Sequence, residues 1–167
     1  FRYFPNCVVP REGWDVIATQ KDGTKIYVEM KNKHNTMNAA SSQKTYIQMQ
    51  NQIMQTPDDF CFLVEAIAPC SRNIPWGCSV NKTHCEHAHI RRVSMDQFYA
   101  IVTGEATAFF EMCMQLPRTI EKIVKQNKNL TVQKDTVLEE LQQMHPDLQI
   151  ALYQLAFATY DGFSLLK

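Results

Sequence analysis

The chain lacks several features that would fix its class at once. It has no run of eighteen or more apolar residues, which a membrane-spanning helix needs, and its N-terminal residues form no signal-peptide pattern. It has no net charge, with 17 Lys and Arg against 17 Asp and Glu, which excludes a histone-like protein that binds nucleic acid by bulk positive charge. None of its six cysteines forms a C-x-x-C pair. We therefore expect a cytoplasmic protein with free thiols and no membrane association.

Length and composition favour one folded domain. The chain has 167 residues, of which 45% are hydrophobic, so it can bury a substantial core. It does not begin with Met, and we expect residues 1–167 to be a single domain that lacks its N-terminal part. Residues 21–92 contain nine Lys and Arg against six acids. This local positive bias permits an anionic partner without proving one.

Two runs near the N-terminus predict a β-hairpin. Residues 14–20 and 25–31 are rich in strand-forming residues, and Asp22-Gly23 lies between them as a turn signal. In the second run, apolar and polar residues alternate with period two, which indicates a strand with one buried face. Glu29 and Lys31 then share the other face.

The rest of the chain predicts a mixed α/β (α+β) fold. Residues 39–55 have helical periodicity, and residues 60–67 form an apolar run typical of a central strand, which should lie beside residues 25–31. Residues 68–90 read as irregular because they contain prolines, a glycine and many polar residues. Ser94 opens a predicted capping box with its hydroxyl on the amide of Gln97. The helices expected after it cover residues 95–103, 105–127, 134–144 and 146–158.

The predicted hairpin brings three chemically useful side chains together. Its pairing places Asp15 opposite the segment from Glu29 to Lys31. Two carboxylates suit Mg²⁺ completed by waters and a substrate phosphate, and the carbonyl of Met30 is directed to help them. Lys31 could orient or deprotonate water, or neutralise charge that builds on phosphorus. The hypothesis is a magnesium site made by Asp15, Glu29 and Met30, with Asp15, Glu29 and Lys31 as catalytic residues.

The spacing Asp15-x13-Glu29-x-Lys31 resembles the core motif of PD-(D/E)XK nucleases, although Trp14 stands where the motif name has proline. Type II restriction endonucleases that cut GGNCC-like sites are similar to this chain in the segments GWDVIA, IYVEMKNKHNTMNAASSQKTY, FLVEAIA, NIPWGCSV and HIRRVSMDQFYAIVTGE. The resemblance covers roughly residues 10–163. It implies a restriction-endonuclease-like core with a central mixed sheet flanked by helices, followed by a helical C-terminal part. It also implies Mg²⁺-dependent hydrolysis of double-stranded DNA, bacterial origin, a homodimer and a cognate methyltransferase that is not a stable partner.

Several polar residues are then candidates for contacts with DNA. The loop after the catalytic strand and the start of the next helix offer groups that suit phosphates and base edges. Arginine is the usual reader of guanine, and a GGNCC-like site has guanines in each half. A phosphate clamp or a structural ion pair explains these arginines equally well. The predicted DNA-binding residues are Lys33, His34, Asn35, Asn38, Ser41, Ser42, Lys44, Arg72, Asn73, Arg91 and Arg92.

Other interpretations of the same residues stay open. The carboxylates and Lys31 could be an ordinary cross-strand ion pair on a solvated face. Cysteines and histidines between residues 78 and 89 suggest zinc and a non-enzymatic metal-stabilised module, although their spacing matches no standard structural zinc site. A PD-(D/E)XK nuclease without a fixed site is a further alternative. Two apolar stripes in the predicted C-terminal helices are read as core or dimer surface: Phe109, Met112, Cys113 and Leu116, then Leu148, Leu152 and Leu155.

Overall fold

The predicted hairpin forms around Asp22-Gly23. In the computed structural model, which describes residues 1–126, 140–141 and 143–163, strands β2 (Val16–Thr19) and β3 (Lys25–Lys33) pair antiparallel. Gly23 has a φ of 90°, which favours glycine, and its N–H donates to the carbonyl of Gln20 at 3.0 Å. The short strand β1 (Cys7–Val8) pairs with β2 and extends the sheet.

A crossover helix places the next strand beside β3, as predicted. Helix α1 (Ala39–Gln55) leads from β3 to β4 (Phe60–Ile67), which runs parallel to β3 and is almost wholly buried. Strand β8 (Ile90–Ser94) is parallel to β4 on its other side, and β5 (Asn73–Pro75) closes that edge antiparallel to β8. The six-stranded sheet therefore has the order β1-β2-β3-β4-β8-β5 and is mixed. This confirms the predicted fold class.

Helices cover both faces of the sheet, which explains the continuous apolar run in β4. Tyr46 and Met49 of α1 pack on Leu63 and its neighbours on one face. The other face packs against α2 (Met95–Thr103), where Phe98 contacts the cluster formed by alternate residues of β2, β3 and β4. Odd-numbered residues of β3 and β4 therefore face α1, and even-numbered residues face α2.

The prediction that residues 68–90 are irregular was wrong in part. Besides β5, this segment contains a small hairpin of β6 (Cys78–Val80) and β7 (Thr83–Cys85). Asn81 and Lys82 form its turn, with positive φ values of 49° and 68°. Two-residue hairpin turns of this kind usually contain glycine, so Asn81-Lys82 is a weak turn signal. Pro75 fits β5 because an edge strand tolerates a missing N–H.

The predicted capping box at Ser94 does not form. Ser94 does precede α2, but its hydroxyl accepts from the N–H of Arg72 at 2.9 Å instead of capping the helix. Ser94 is fully buried, so the hydroxyl is used to join β8 to the start of β5. Gly104 ends α2 in the left-handed conformation, which favours glycine.

Two C-terminal helices are described, α3 (Ala108–Gln126) and α4 (Leu148–Phe157). The predicted helix at 134–144 lies mostly outside the described residues. The α3 stripe is partly core, because Phe109 and Cys113 are buried, but the α4 stripe is not, because Leu152 and Leu155 are exposed. Among the described residues, no helix combines the length and the apolar character needed to span a membrane.

The C-terminal segment holds the chain that follows β4. The Tyr160 hydroxyl accepts from the N–H of Ala68 at 2.7 Å and donates to the carbonyl of Ala66 at 2.9 Å. Burial raises the pKa of Tyr160 to about 12, so the hydroxyl keeps its proton for this contact. The N–H of Asp161 donates to Ser71 Oγ at 2.7 Å. These bonds fix the segment that connects β4 to Arg72 and β5.

Candidate active site

Asp15 lies beside the carboxyl-terminal half of β3, as the hairpin predicted. The register that pairs Val16 with Val28 sets Asp15 across from Glu29 when it is continued by one residue. The Asp15 N–H donates to the carbonyl of Val28 at 3.0 Å, and Asp15 Oδ2 accepts from the N–H of Met30 at 2.7 Å. This second bond directs the exposed carboxylate toward β3 and leaves Oδ1 open.

Glu29 and Lys31 share the face of β3 that is turned toward α1. Lys31 Nζ lies 2.7 Å from Glu29 Oε1, and the two side chains are 29% and 21% exposed. Lys31 is therefore paired as a cation and remains reachable from solvent. Both residues lie near the carboxyl end of a parallel strand, where ligands of open α/β sheets usually bind.

The donor atoms at this place suit a hard cation. Because the Met30 N–H is directed at Asp15, the Met30 carbonyl points to the same edge of β3. Two carboxylates and one carbonyl are oxygen ligands, and Mg²⁺ takes few protein ligands and keeps several waters. The part of the chain that the structure describes contains no group of three or more His, Cys, Asp or Glu placed to hold a metal. Two carboxylates and a carbonyl suit Mg²⁺, with waters as its remaining ligands.

A buried acid next to Lys31 was not predicted from the sequence as part of the site. Glu65 pairs directly with Lys31 in the β3–β4 register and shares its face, yet only 1% of Glu65 is exposed. Arg72 Nη2 donates to Glu65 Oε2, while Arg92 donates to Glu65 Oε1 through Nε at 2.8 Å and Nη2 at 2.5 Å. A single acid inside an apolar run was the available signal, since a buried carboxylate requires charged partners.

The Glu65 cluster gives a stability prediction. We expect Glu65→Ala to lower the free energy of unfolding by about 3 kcal/mol, because Arg72 and Arg92 lose the carboxylate that both of them contact. The two arginines stay partly hydrated, at 17% and 24% exposure, which keeps the loss at the lower end of the usual range. Urea denaturation measures this difference. The exposed Glu12→Ala is the control, and a Glu65→Ala loss below about 1 kcal/mol would contradict a structural role for the cluster.

The two adjacent arginines of β8 lie on opposite faces of the sheet. Arg92 pairs with Leu63 and faces α1 with Glu29 and Lys31, whereas Arg91 pairs with Phe62 and faces the other way. Arg91 donates to Asn73 through Nε at 2.5 Å and Nη2 at 2.6 Å. Among the predicted DNA-binding arginines, Arg92 and Arg72 thus adjoin the face that carries Glu29 and Lys31, and Arg91 with Asn73 does not.

A cavity of about 90 Å³ lies between the Glu65 cluster and the loop before α1. Its walls include side chains from three parallel strands and from the predicted DNA-binding loop. The residues that line the cavity include Lys31, Lys33, Asn35, Ser42, Glu65 and Arg92. The structure therefore brings the candidate catalytic residue Lys31, part of the loop and Arg92 to the same place.

Most of the other predicted DNA-binding residues near α1 form hydrogen bonds within the protein. Asn38 is the N-cap of α1, and its Oδ1 accepts from the Ser41 N–H at 2.8 Å. The Ser42 N–H donates to the Asn38 carbonyl, which means that neither serine amide is free for phosphate. The N–H of His34 donates to the carbonyl of Ile67 at 3.0 Å, and Lys44 is exposed on α1. Direct DNA contacts by these side chains stay predictions.

The cysteine and histidine segment does not form a metal site. Within the described residues no suitable ligand group exists there. His89 stacks on Phe60 with ring centroids 4.3 Å apart, and its Nδ1 lies 3.0 Å from the Asp59 carbonyl. His87 Nδ1 accepts from the His89 N–H at 3.1 Å. The histidines thus make contacts that support the loop. All six cysteines are free thiols.

Comparisons with known proteins find similarity to restriction endonucleases. The family model described as Eco47II restriction endonuclease matches residues 1–125. The type II restriction enzyme Sau96I of Staphylococcus aureus is 32% identical over 117 residues, which covers 65% of this chain and 44% of that protein. The chain thus spans less than half the length of this curated relative. No solved structure matches it significantly.

Proposed function

Because the chain belongs to the Eco47II restriction endonuclease family, we propose that it is the catalytic part of a type II restriction endonuclease. The proposed activity is hydrolysis of double-stranded DNA with Mg²⁺ at a specific site, which resembles GGNCC. The observation that carries the proposal is the bond from Met30 N–H to Asp15 Oδ2, since it sets Asp15 beside the Glu29–Lys31 pair.

The chain supplies the groups that this reaction needs. Asp15, Glu29 and the Met30 carbonyl would hold the cation. Bound Mg²⁺ would polarise the phosphate and favour ionisation of the attacking water. The water oxygen bonds to phosphorus as one P–O ester bond breaks; the water gives one proton to solvent, and the leaving oxygen takes one proton from solvent. Lys31, which Glu29 already pairs as a cation, is best placed to neutralise the charge that develops on the phosphate oxygens.

The proposal also covers the oligomeric state of the enzyme, its cellular compartment and a protecting methyltransferase. We propose that it works as a homodimer, because restriction sites with two-fold symmetry are matched by two-fold protein symmetry. We also propose that it acts in the reducing cytoplasm, which its six free thiols suit, together with a separate methyltransferase that protects host DNA.

Digestion of a long duplex tests the proposed activity. With Mg²⁺ we expect discrete fragments whose sequenced ends share one short site, and with excess EDTA we expect no cutting. A smear of fragments would instead indicate a PD-(D/E)XK nuclease without a fixed site. Absence of cutting by the complete protein with Mg²⁺ and Mn²⁺ would overturn the proposed function. Methylated host-type DNA serves as the protected control substrate.

A further inference from the structure

The 90 Å³ cavity next to Lys31 has the chemistry of an anion site. Lys31, Lys33 and Arg92 contribute three positive charges to its walls, against one carboxylate, Glu65. Both Glu65 oxygens are occupied by guanidinium groups, and Lys31 is paired with Glu29. Lys33 makes no ion pair with any residue that the structure describes. The cavity therefore keeps a net positive charge and has no free carboxylate to repel an anion.

Arg92 is oriented for an anion by Glu65. Its Nε and Nη2 both donate to Glu65 Oε1, so this edge of the guanidinium is fixed. The remaining nitrogen, Nη1, makes no hydrogen bond within the described chain and belongs to a side chain that lines the cavity. A carboxylate that is almost fully buried thus holds one edge of the arginine and leaves the other edge for a ligand.

Charge and position narrow the ligand to one group of the DNA backbone. Walls that carry Lys31, Lys33 and Arg92 suit an anionic phosphodiester group better than an uncharged nucleobase. The proposed cation site lies between β2 and β3, whereas the cavity lies over β4, between β3 and β8. Strands are about 4.8 Å apart. The two places are therefore separated by roughly one nucleotide step along a DNA strand.

We infer that the cavity binds a DNA backbone phosphate next to the one that is cut. Lys33 and the Nη1 edge of Arg92 contact its oxygens, and Glu65 is a positioning residue that acts through Arg92. This inference rests on the proposed function, since it assumes a DNA substrate on the α1 face. It replaces base reading by Arg92 with a contact that carries no sequence information.

Binding measured across salt concentrations tests the phosphate contact. Fluorescence anisotropy uses proteins that carry Asp15→Asn, so that the labelled duplex stays intact. We expect Arg92→Gln and, separately, Lys33→Gln to weaken binding to specific and unrelated duplexes by the same factor. Each change should also reduce the slope of log K against log[KCl] by about 0.9 per protomer, which is about 1.8 for the proposed homodimer, because each lost phosphate contact lowers the slope by about 0.9. Lys33 is exposed, so its variant keeps the test valid if Arg92→Gln does not fold.

The matched control is Lys21→Gln, which removes one positive charge at the hairpin turn at the other end of β3 and should leave the slope unchanged. A loss of affinity confined to the specific duplex, with an unchanged slope of log K against log[KCl], would mean that Arg92 reads a base. This result would overturn the inference. Wild-type binding by the Arg92 and Lys33 variants would overturn it as well. If the wild type cuts at discrete sites in either case, the proposed function survives. If the wild type neither binds nor cuts, the proposed function itself fails.

A second experiment locates the phosphate and tests Glu65. Duplexes with one uncharged methylphosphonate at successive positions should show one sensitive step beside the cut, and Arg92→Gln should abolish that sensitivity. Glu65→Gln, which keeps the side-chain shape, should also weaken DNA binding, as Arg92→Gln does. Adding it to Arg92→Gln should cause no further loss, because it acts through that arginine. Additive losses in folded proteins would overturn the positioning role, and uniform methylphosphonate sensitivity would overturn the cavity as a phosphate site.

Discussion

Asp15→Asn should reduce the cleavage rate by about a thousandfold and leave DNA binding largely intact. Asparagine keeps an oxygen that can accept from the Met30 N–H, so the hairpin geometry and the fold persist. It loses the negative charge that a hard divalent cation requires. Single-turnover cleavage of a plasmid with Mg²⁺ measures the rate, and anisotropy without cutting measures binding.

Asp22→Asn is the matched control for that experiment. It makes the same chemical change at the turn of the same hairpin, where Asp22 Oδ1 accepts from the Thr24 N–H at 2.9 Å. That bond holds the pKa of Asp22 below its ordinary value, but the residue lies at the far end of β3 from Glu29. We expect its variant to cut normally. Cleavage at the wild-type rate by Asp15→Asn would remove Asp15 from the cation site.

Lys31→Ala should lower the cleavage rate by about a hundredfold or more, because the developing charge on the phosphate loses its nearest ammonium group. The Lys31–Glu29 pair is partly exposed and contributes about 1 kcal/mol or less to stability. The melting temperature should therefore change little while the rate falls. Single-turnover kinetics together with thermal melting separates the two effects.

Lys25→Ala serves as the comparison for Lys31→Ala, since Lys25 lies on the same strand and the same face near its other end. The backbone N–H of residue 25 would still donate to Asp59 Oδ1 after this change. We expect full activity from Lys25→Ala. Equal rates for the Lys31 variant and the wild type would contradict a catalytic role for Lys31, and the ordinary ion pair would then be the better interpretation.

Local patterns in the sequence predicted the parts of the site that depend on neighbouring residues. The Asp22-Gly23 turn fixes the hairpin register, and the period of two fixes which face carries Glu29 and Lys31. Helical periodicity gave α1 with its bounds, and a short apolar run gave the parallel strand β4. These features were predictable because each depends on residues close in sequence.

Contacts between distant segments were not predictable in the same way. Glu65 reads as one acid in an apolar run, and its partners are seven and 27 residues away. The Ser94 hydroxyl matched a helix cap, but a buried bond to the segment around Arg72 took its place. In both cases the pairing of β4, β8 and β5 decides which polar groups meet. Burial makes any arrangement unfavourable that leaves these groups without hydrogen-bond partners.

The sequence by itself determined the family, the hairpin and the identity of Asp15, Glu29 and Lys31 as the groups to examine, because short-range pattern and motif carry that information. Only the tertiary structure decided that Arg92 lies on their face while Arg91 does not, and that Glu65 holds two arginines beside a cavity. A one-residue shift in strand pairing would exchange the faces of Arg91 and Arg92. That register is set by packing of the whole sheet between α1 and α2.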